Sequence, residues 1–294
     1  MGGILILLIH FLYICHHFKS YESTPIVGED VKEAEDDDFP FIVSIAELIS
    51  NDRTKHDHIC GGTLITSKHV LTAAHCVETI KASGKDIIIL VGSPSLDSEK
   101  IERHVISRWL TFRQWSVEDN YSKDAKDVAV IVLAKRVEKI RPALVSTAIT
   151  EMGPGTNLIL AGWGETISNE YPVHLQKVSV KVLPRDKCET QIPSSNLVLS
   201  EESEQDNFIC TAADPYALAG CGDSGSPLLD ENKFLVGINL GRCPKLGRID
   251  PKQVNIGLNI NPYIAFLREA TRQVDRKRKS VNEIEPSTEL QIVE

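Results

Sequence analysis

The sequence predicts an all-β protein with one helix near its C-terminus. Short runs rich in Val and Ile recur along the 294 residues, and Gly, Pro, Asn or Asp bound most of them, as is typical of strands in a sandwich or barrel. Helical spacing of apolar residues is found late, at 262–274, where Pro262 stands at a first-turn position. The length suits one large domain or two fused halves.

The predicted strands follow one another in short, separate runs. They cover 41–48, 62–74, 86–92, 127–134, 157–164, 175–183 and 233–241. The acidic run at 33–38 and the polar tail at 275–294 are predicted to be solvated. The net charge of -9 argues against nucleic acid as the main partner, because binding phosphates needs a basic face.

Residues 1–20 are expected to be a secretory signal peptide. Positions 4–15 are apolar apart from His10, which fits the apolar region of a signal but is shorter than the roughly 20 residues that cross a bilayer. No Lys or Arg precedes this run, and a buried N-terminal strand or a membrane anchor is the alternative. We therefore expect a secreted, extracellular protein that has no membrane contact once the signal is removed.

The cysteine count agrees with secretion. Seven cysteines are present, and Cys15 lies in the predicted signal peptide. The remaining six, an even number, predict disulfides in a secreted chain, although counting alone does not choose the pairs. No Cys-x-x-Cys pair occurs, which argues against a structural zinc site.

Three stretches carry the residue types of nucleophilic catalysis. The segment GCGDSGSPL at 220–228 predicts a tight bend that presents Ser224. A nucleophilic serine needs a base and an orienting acid. The candidate base is His75 in LTAAHC, and the candidate acid is Asp127 in KDVAVIVL. Asp127 opens an apolar strand, where an unpaired carboxylate would be costly. The order His, Asp, Ser is that of chymotrypsin-type enzymes and excludes the α/β-hydrolase order of Ser, acid, His.

With these motifs the chain resembles the chymotrypsin family of trypsin-like, S1-type secreted serine endopeptidases, and is similar to insect or arthropod members. The resemblance covers 26–268 and rests on PIVGED, CGGTLITSKHVLTAAHC, DVAVIVL, AGWGET, CGDSGSPL and GLNINPYIAFL. It implies two six-stranded antiparallel β-barrels with a C-terminal α-helix and a catalytic cleft between the barrels. It also implies a signal at 1–20, a short pro-segment at 21–25, a peptidase domain at 26–268, and the helix end with a polar tail at 269–294.

The same resemblance implies a role for each site residue. Ser224 would attack a peptide carbonyl, His75 would take and return the proton, and Asp127 would orient the imidazole. The backbone N–H groups of Gly222 and Ser224 would form the oxyanion hole. The implied disulfides are Cys60–Cys76, Cys188–Cys210 and Cys221–Cys243. The expected enzyme is a monomer that needs neither cofactor nor metal, cleaves proteins or peptides, and is open to protein protease inhibitors.

The substrate pocket departs from the family pattern. It is expected to consist of Leu218, Ala219, Gly220, Asn239, Leu240, Gly241 and Lys252. The base has no acidic residue, so cleavage after Lys or Arg is disfavoured because a buried cation would be unpaired. An apolar pocket, a shallow pocket for small side chains, and a pocket in which Lys252 accepts an acidic side chain stay open; we favour apolar or small side chains.

Activation is expected to depend on a new N-terminus. The resemblance implies an ion pair between the amino group of Ile26 and Asp223, but Pro25 stands where Arg or Lys is usual. Either a dipeptidyl peptidase removes 24–25 after signal cleavage at about Ser20 or Ser23, or the chain stays untrimmed and is silent or only weakly active. A silent homologue that binds without cutting is the alternative function. The sequon NYS predicts a glycan on Asn120.

Overall fold

The computed structural model describes residues 26–28, 30–49, 55–116, 125–147, 153–165, 171–188, 207–240, 254–276 and 290–293. The strands of these segments are numbered in chain order. They are β1 (Val27–Gly28), β2 (Lys32–Glu33), β3 (Ile42–Leu48), β4 (His56–Thr66), β5 (His69–Thr72), β6 (Ile87–Val91), β7 (Glu102–Thr111), β8 (Ala129–Leu133), β9 (Val145–Ser146), β10 (Asn157–Gly162), β11 (Gln176–Val182), β12 (Phe208–Ala212), β13 (Ala217–Leu218), β14 (Pro227–Leu229), β15 (Leu235–Asn239), β16 (Asn255–Asn259) and β17 (Ile292–Val293). The helices whose bounds lie within these segments are α1 (Ala74–Ser83), α2 (Phe112–Trp115) and α3 (Ile264–Arg276).

Two closed six-stranded antiparallel barrels form the molecule, which confirms the predicted fold class. The first has the order β3-β4-β5-β8-β7-β6 and closes through β6 and β3. The second runs β10-β11-β12-β16-β15-β14 and closes because β14 pairs with both β15 and β10. Val, Ile and Leu side chains of both barrels are buried, as expected where strands alternate toward a filled interior.

Most predicted strands match the structure, but the region around 62–74 does not. A turn at 67–68 divides it into β4 and β5, and α1 begins at Ala74, where the strand was expected to end. Gly84 ends α1 in the left-handed conformation, with φ of 65°, a common helix stop. The division matters because it places His75 in the first turn of a helix instead of directly after a strand.

The C-terminal helix joins the first barrel through aromatic side chains. A 3₁₀ turn (Asn261–Tyr263) precedes α3, which extends two residues beyond its predicted end. The Phe112 ring of α2 meets Tyr263 edge-to-face at 4.9 Å and Phe266 at 5.6 Å, and Trp115 Nε1 donates to Glu269 at 3.0 Å. Within the described segments, none of the helices combines the length and apolar character needed to cross a membrane.

The end of the chain returns to the barrels instead of remaining fully solvated. Strand β17 lies parallel to β9, with Ile292 opposite Val145 and Val293 opposite Ser146. The N–H groups of Val145 and Thr147 donate to carbonyls of Gln291 and Val293 at 3.0 Å. The tail composition gave no sign of this because only two of its residues form the strand.

The segment before the first barrel is tied to the second barrel through Asp38. Its carboxylate, 13% exposed, accepts hydrogen bonds from Lys177 and from Lys233, the latter at 2.8 Å. Lys233 also lies 5.0 Å from the Phe39 ring centroid. Burial opposes ionisation, but the hydrogen bonds from the two lysines outweigh it and lower the pKa of Asp38 to about 2.

Replacing Asp38 by Asn should therefore lower the free energy of unfolding at pH 7 by about 2 kcal/mol, the usual size for charged hydrogen bonds. A carboxyl with a lowered pKa stabilises above its unfolded pKa of about 4, and that contribution is lost as the pH falls toward 2. Urea unfolding should show the deficit of the variant shrinking over this range. A deficit that stays constant down to pH 2 would contradict the assignment.

The matched control is Asp36→Asn. The ion pair between Asp36 and Lys100 is 3.2 Å long, and both side chains are at least three-quarters exposed. An exposed pair of this kind contributes at most about 1 kcal/mol. This variant should unfold like the wild type at every pH.

Candidate active site

Two adjacent strands bring His75 and Asp127 together. Strand β5 ends shortly before His75, and β8 begins shortly after Asp127, and these antiparallel strands pair with Thr72 opposite Ala129. His75 Nδ1 lies 2.6 Å from Asp127 Oδ2, and the backbone N–H of His75 donates to Oδ1 at 2.7 Å. The carboxylate thus fixes both the position and the tautomer of an imidazole that is 42% exposed.

The loop before β14 brings Ser224 to the same place. Gly222 and Gly225 have φ of 91° and 79°, which glycine adopts without strain. The carbonyl of Ser224 accepts from the N–H of Gly61 at 2.8 Å, and Cys76 Sγ lies 3.7 Å from that carbonyl. Because Cys76 follows His75 directly, this contact brings the Ser224 backbone close to the residue next to His75.

The Ser224 hydroxyl is hydrogen-bonded, whereas two backbone N–H groups of this loop are not. Ser224 Oγ donates to the Leu240 carbonyl at 3.1 Å. In the part of the chain that the structure describes, the N–H groups of Gly222 and Ser224 donate to no protein acceptor. A site with one hydroxyl and two free N–H donors can attack a carbonyl and hold the negative oxygen that results.

His58 and Ser44 contact the Ser224 loop through the Gly222 carbonyl, and the sequence analysis did not identify them. Ser44 Oγ lies 2.7 Å from His58 Nδ1, and His58 Nε2 lies 3.0 Å from the Gly222 carbonyl. Burial lowers the pKa of His58 to about 4, so the ring is neutral and donates through Nε2. The one signal in the sequence is a polar Ser44 inside an apolar strand.

Asp223 lies at the centre of the loop with no exposed surface. Its two carboxylate oxygens accept from the N–H groups of Gly164 and Gly220, each at 2.8 Å. Burial outweighs these bonds and raises the pKa of Asp223 to about 6. A Cβ at Gly162 or Gly164 would lie 2.1 Å or 2.3 Å from a carboxylate oxygen, which explains the glycines of AGWGET.

Ile26 packs in the same apolar cluster as the strand that leads into the Asp223 loop. It is fully buried in the core of the second barrel with Ala217 and Ala219. Strand β1 pairs with β13, with Val27 opposite Leu218. The start of the predicted peptidase domain therefore abuts the strand that leads into the Asp223 loop.

The residues predicted for the substrate pocket differ in their burial and hydrogen bonding, and two of them lie outside the described residues. Leu218, Ala219 and Leu240 are buried apolar residues beside the loop. Asn239 was expected in the pocket wall, but its amide donates to the Asp223 carbonyl at 3.1 Å and it is only 1% exposed, so it supports the loop. Gly241 and Lys252 lie outside the described residues, as do Asn120 and the segments 1–20 and 21–25.

Two disulfides join predicted partners, Cys60 with Cys76 and Cys188 with Cys210. Cys221 is also disulfide-bonded, while its predicted partner, Cys243, lies outside the described residues. Cys60 and Cys76 approach His75 closely, but their sulfurs are joined to each other and are not free thiolates for a metal.

Ser226, two residues after Ser224, fills the space next to Gly61. Its hydroxyl is buried and has no hydrogen-bond partner among the described residues. A Cβ at Gly61 would lie 1.9 Å from Ser226 Oγ and 2.9 Å from its Cβ. Ser226 thus makes Gly61 indispensable.

Gly61→Ala should therefore lower the free energy of unfolding by about 3 kcal/mol, the upper range for overpacking. Adding Ser226→Gly removes the Oγ and Cβ clashes but leaves the Ser226 Cα, which is also 2.9 Å from the added Cβ, so it should restore part of that loss. Gly153→Ala is the control, because a Cβ there meets nothing within 4 Å. Thermal unfolding measures all four proteins, and a Gly61→Ala variant as stable as the Gly153→Ala variant would refute the packing argument.

Known proteins resemble this chain in sequence and fold. The family model of trypsin matches residues 27–262. The chain is 26% identical over 245 residues to a trypsin from Phaedon cochleariae, covering 80% of this chain and 84% of that protein. It is 30% identical over 195 residues to a venom serine protease from Polistes dominula, covering 62% and 67%.

Two further similarities differ in extent. A 185-residue match to an ovochymase from Halocynthia roretzi, 26% identical, spans 59% of this chain but only 11% of that longer protein. The solved structure of neuropsin, a serine protease expressed in the limbic system of mouse brain, superposes with a TM-score of 0.64 at 21% identity and covers 83% of this chain and 99% of neuropsin. The second similarity shows a shared fold.

Proposed function

Because this chain belongs to the trypsin family and is a serine endopeptidase, we propose that Ser224, His75 and Asp127 are its catalytic residues. The proposal rests on the two hydrogen bonds that join His75 to the Asp127 carboxylate, next to the Ser224 loop. The enzyme acts on protein substrates, as the family does.

The proposed reaction begins at the hydroxyl of Ser224. The Oγ–H turns from the Leu240 carbonyl to His75 Nε2, which takes the proton as Oγ attacks the peptide carbonyl. Asp127 holds the proton on Nδ1 and stabilises the imidazolium that forms. His75 then gives its proton to the leaving amine, and water repeats the sequence on the acyl-enzyme.

The negative oxygen of the intermediate is assigned to the N–H groups of Gly222 and Ser224. The bond from His58 to the Gly222 carbonyl and the bond from Asn239 to the Asp223 carbonyl support this role, because both restrain the peptide groups of the loop. Restrained donors stabilise charge without reorganising during the reaction.

The proposed specificity is for apolar or small side chains before the cleaved bond. Leu218, Ala219 and Leu240 are apolar, and the nearby carboxylate of Asp223 is engaged by two N–H groups. A Lys or Arg side chain would find no free carboxylate at these residues and would be buried unpaired.

We further propose that trimming to Ile26 activates the enzyme. In the untrimmed chain the pKa of the Asp223 carboxyl is raised to about 6. The protonated carboxyl therefore stabilises the folded state at low pH, and this contribution to the free energy of unfolding is lost as the pH rises from about 4 through 6. A free amino group at Ile26 would give the carboxylate a cation. Cleavage after Ser23 followed by removal of 24–25, or removal of all of 21–25 after cleavage at 20, leaves that amino group.

The remaining assignments concern segments outside the described residues. We propose a secretory signal at 1–20, a pro-segment at 21–25 and a glycan at Asn120. The bonded cysteines and the similarity to a venom serine protease support secretion.

The test uses the full-length chain expressed in insect cells and purified from the medium. N-terminal sequencing of the active fraction should give Ile-Val-Gly, and a fluorogenic peptide library should show cleavage after small or apolar residues. Active protein that begins at Tyr21 or Thr24 would overturn the activation proposal. Preferred cleavage after Lys or Arg would overturn the specificity.

A further inference from the structure

Strand β9 lies on the connection between the two barrels and is bonded to both of them. This connection, residues 134–156, follows β8 of the first barrel and leads to β10 of the second. The Ala143 N–H donates to the Leu64 carbonyl of β4 at 2.9 Å. Two residues later, Val145 lies opposite Leu235 of β15 in a parallel pair. Whatever binds to β9 therefore acts on the chain that links the barrels.

The edge of β9 opposite β15, which we call the outer edge, carries two backbone donors. The N–H groups of Val145 and Thr147 donate to the carbonyls of Gln291 and Val293, each at 3.0 Å. Strand β17 thus covers the outer edge as a parallel neighbour. Without it, these two N–H groups would form an open sheet edge, which is a template for another strand.

The side chains of the covering segment alternate as a strand on a surface requires. Leu290 and Ile292 are partly buried and pack against the main hydrophobic core, whereas Gln291 between them is exposed. Backbone hydrogen bonds at a sheet edge, combined with contacts to alternate side chains, are the way in which proteins bind extended peptides. The outer edge offers both kinds of contact.

Strand β17 is an addition to the second barrel and takes no part in its closure. That barrel closes because β14 pairs with both β15 and β10. Among the strands that the structure describes, β17 pairs with β9 alone. Residues 277–289 separate it in sequence from the end of α3. The strand can therefore leave β9 without opening the barrel.

We propose that the outer edge of β9 is a binding site for an extended peptide with aliphatic side chains at alternate positions, and that the chain's own segment 290–293 occupies it as a releasable strand. The two N–H groups of β9 bind the backbone of the occupant, and the core beside them takes its aliphatic side chains. The occupied edge also restrains the connection between the barrels. This inference goes beyond the proposed function and does not depend on it.

Amide hydrogen exchange of the full-length protein, followed by NMR, tests the inference. Ser224→Ala serves as the parent so that an added peptide is not cleaved. Changing Leu290→Asp and Ile292→Asp together should release the strand and speed exchange at the Val145 and Thr147 amides by about tenfold or more. The Leu235 amide should stay within about twofold of the parent, because it donates to the Leu144 carbonyl on the other edge of β9.

A synthetic peptide tests whether the released edge binds in solution. The peptide STELQIVE, the sequence of 287–294, is added at millimolar concentration to the variant with both aspartates. It should slow exchange at the Val145 and Thr147 amides again, and the effect should saturate as expected for mass action. The same peptide with Leu290→Asp and Ile292→Asp should give no protection.

Gln291→Asp is the matched control variant, because it adds a carboxylate to the same segment at an exposed position. It should exchange like the parent. Ile292→Asp alone should give a smaller increase than the two aspartates together, and it replaces them if they prevent folding.

Three results would overturn the inference. The first is parental exchange at the Val145 and Thr147 amides in the folded aspartate variants, because segment 290–293 would then not protect them. The second is protection by the STELQIVE peptide that is no better than that by its aspartate form. The third is a parent protein that light scattering shows to be a dimer and that the two aspartates convert to a monomer, because the occupant would then belong to a second copy.

Discussion

Replacing Ser224 or His75 by alanine is expected to lower kcat by roughly 10⁴–10⁶-fold. Each change removes one end of the proton transfer, and residues that act as a unit show losses that do not add. The double variant should therefore be no slower than the worse single variant. Steady-state hydrolysis of a small-residue peptide measures all three.

Folding should survive these changes. The Ser224 side chain makes one hydrogen bond, to the Leu240 carbonyl, and Ala at position 75 keeps the backbone N–H that binds Asp127. Thermal unfolding within a few degrees of wild type is the control. Peptidase activity that persists in a correctly folded Ser224→Ala protein would show that another group is the nucleophile.

Replacing Asp127 by Asn is expected to lower kcat by about 10⁴-fold at pH 7. Asn can still accept from the His75 backbone N–H, but its NH₂ would face Nδ1 in place of a carboxylate oxygen. The imidazole would then carry its proton on Nε2, where it cannot accept one from Ser224. Loss of the negative charge also removes stabilisation of the imidazolium.

Asp38→Asn is the control for this change, since it removes another partly buried carboxylate that makes two hydrogen bonds to side chains far along the chain from His75. It should lower stability but keep kcat. If Asp127→Asn retained a tenth or more of wild-type kcat while Asp38→Asn behaved as expected, Asp127 would not be the orienting acid.

Local patterns predicted the strands that alternate clearly. The runs at 41–48, 86–92, 157–164 and 175–183 match β3, β6, β10 and β11 within two residues at each end. Strand β7 was missed because most of its side chains are partly or fully exposed and charged residues interrupt the alternation. Strand β16 was missed because Asn at both ends lowers its β propensity, although closure of the barrel buries every residue in it.

The residues of the candidate site also differ in whether the sequence could predict them. His75, Asp127 and Ser224 could be proposed because each stands in a short motif whose chemistry is local. His58 could not, because it acts on backbone that is distant in sequence, the Gly222 carbonyl 164 residues away. Such a distance leaves no trace in the spacing of residues. The carboxylate of Asp223 explains the AGWGET glycines only once the fold has placed them together.

The catalytic centre is tested most directly by covalent labelling of the purified, full-length protein with a fluorophosphonate, followed by peptide mapping. Ser224 as nucleophile requires a working base and oxyanion site, so the label should form on Ser224 alone and should be absent in His75→Ala. A folded wild-type protein that takes up no label, or carries it on another residue, would contradict the assignment of Ser224, His75 and Asp127 as the catalytic centre.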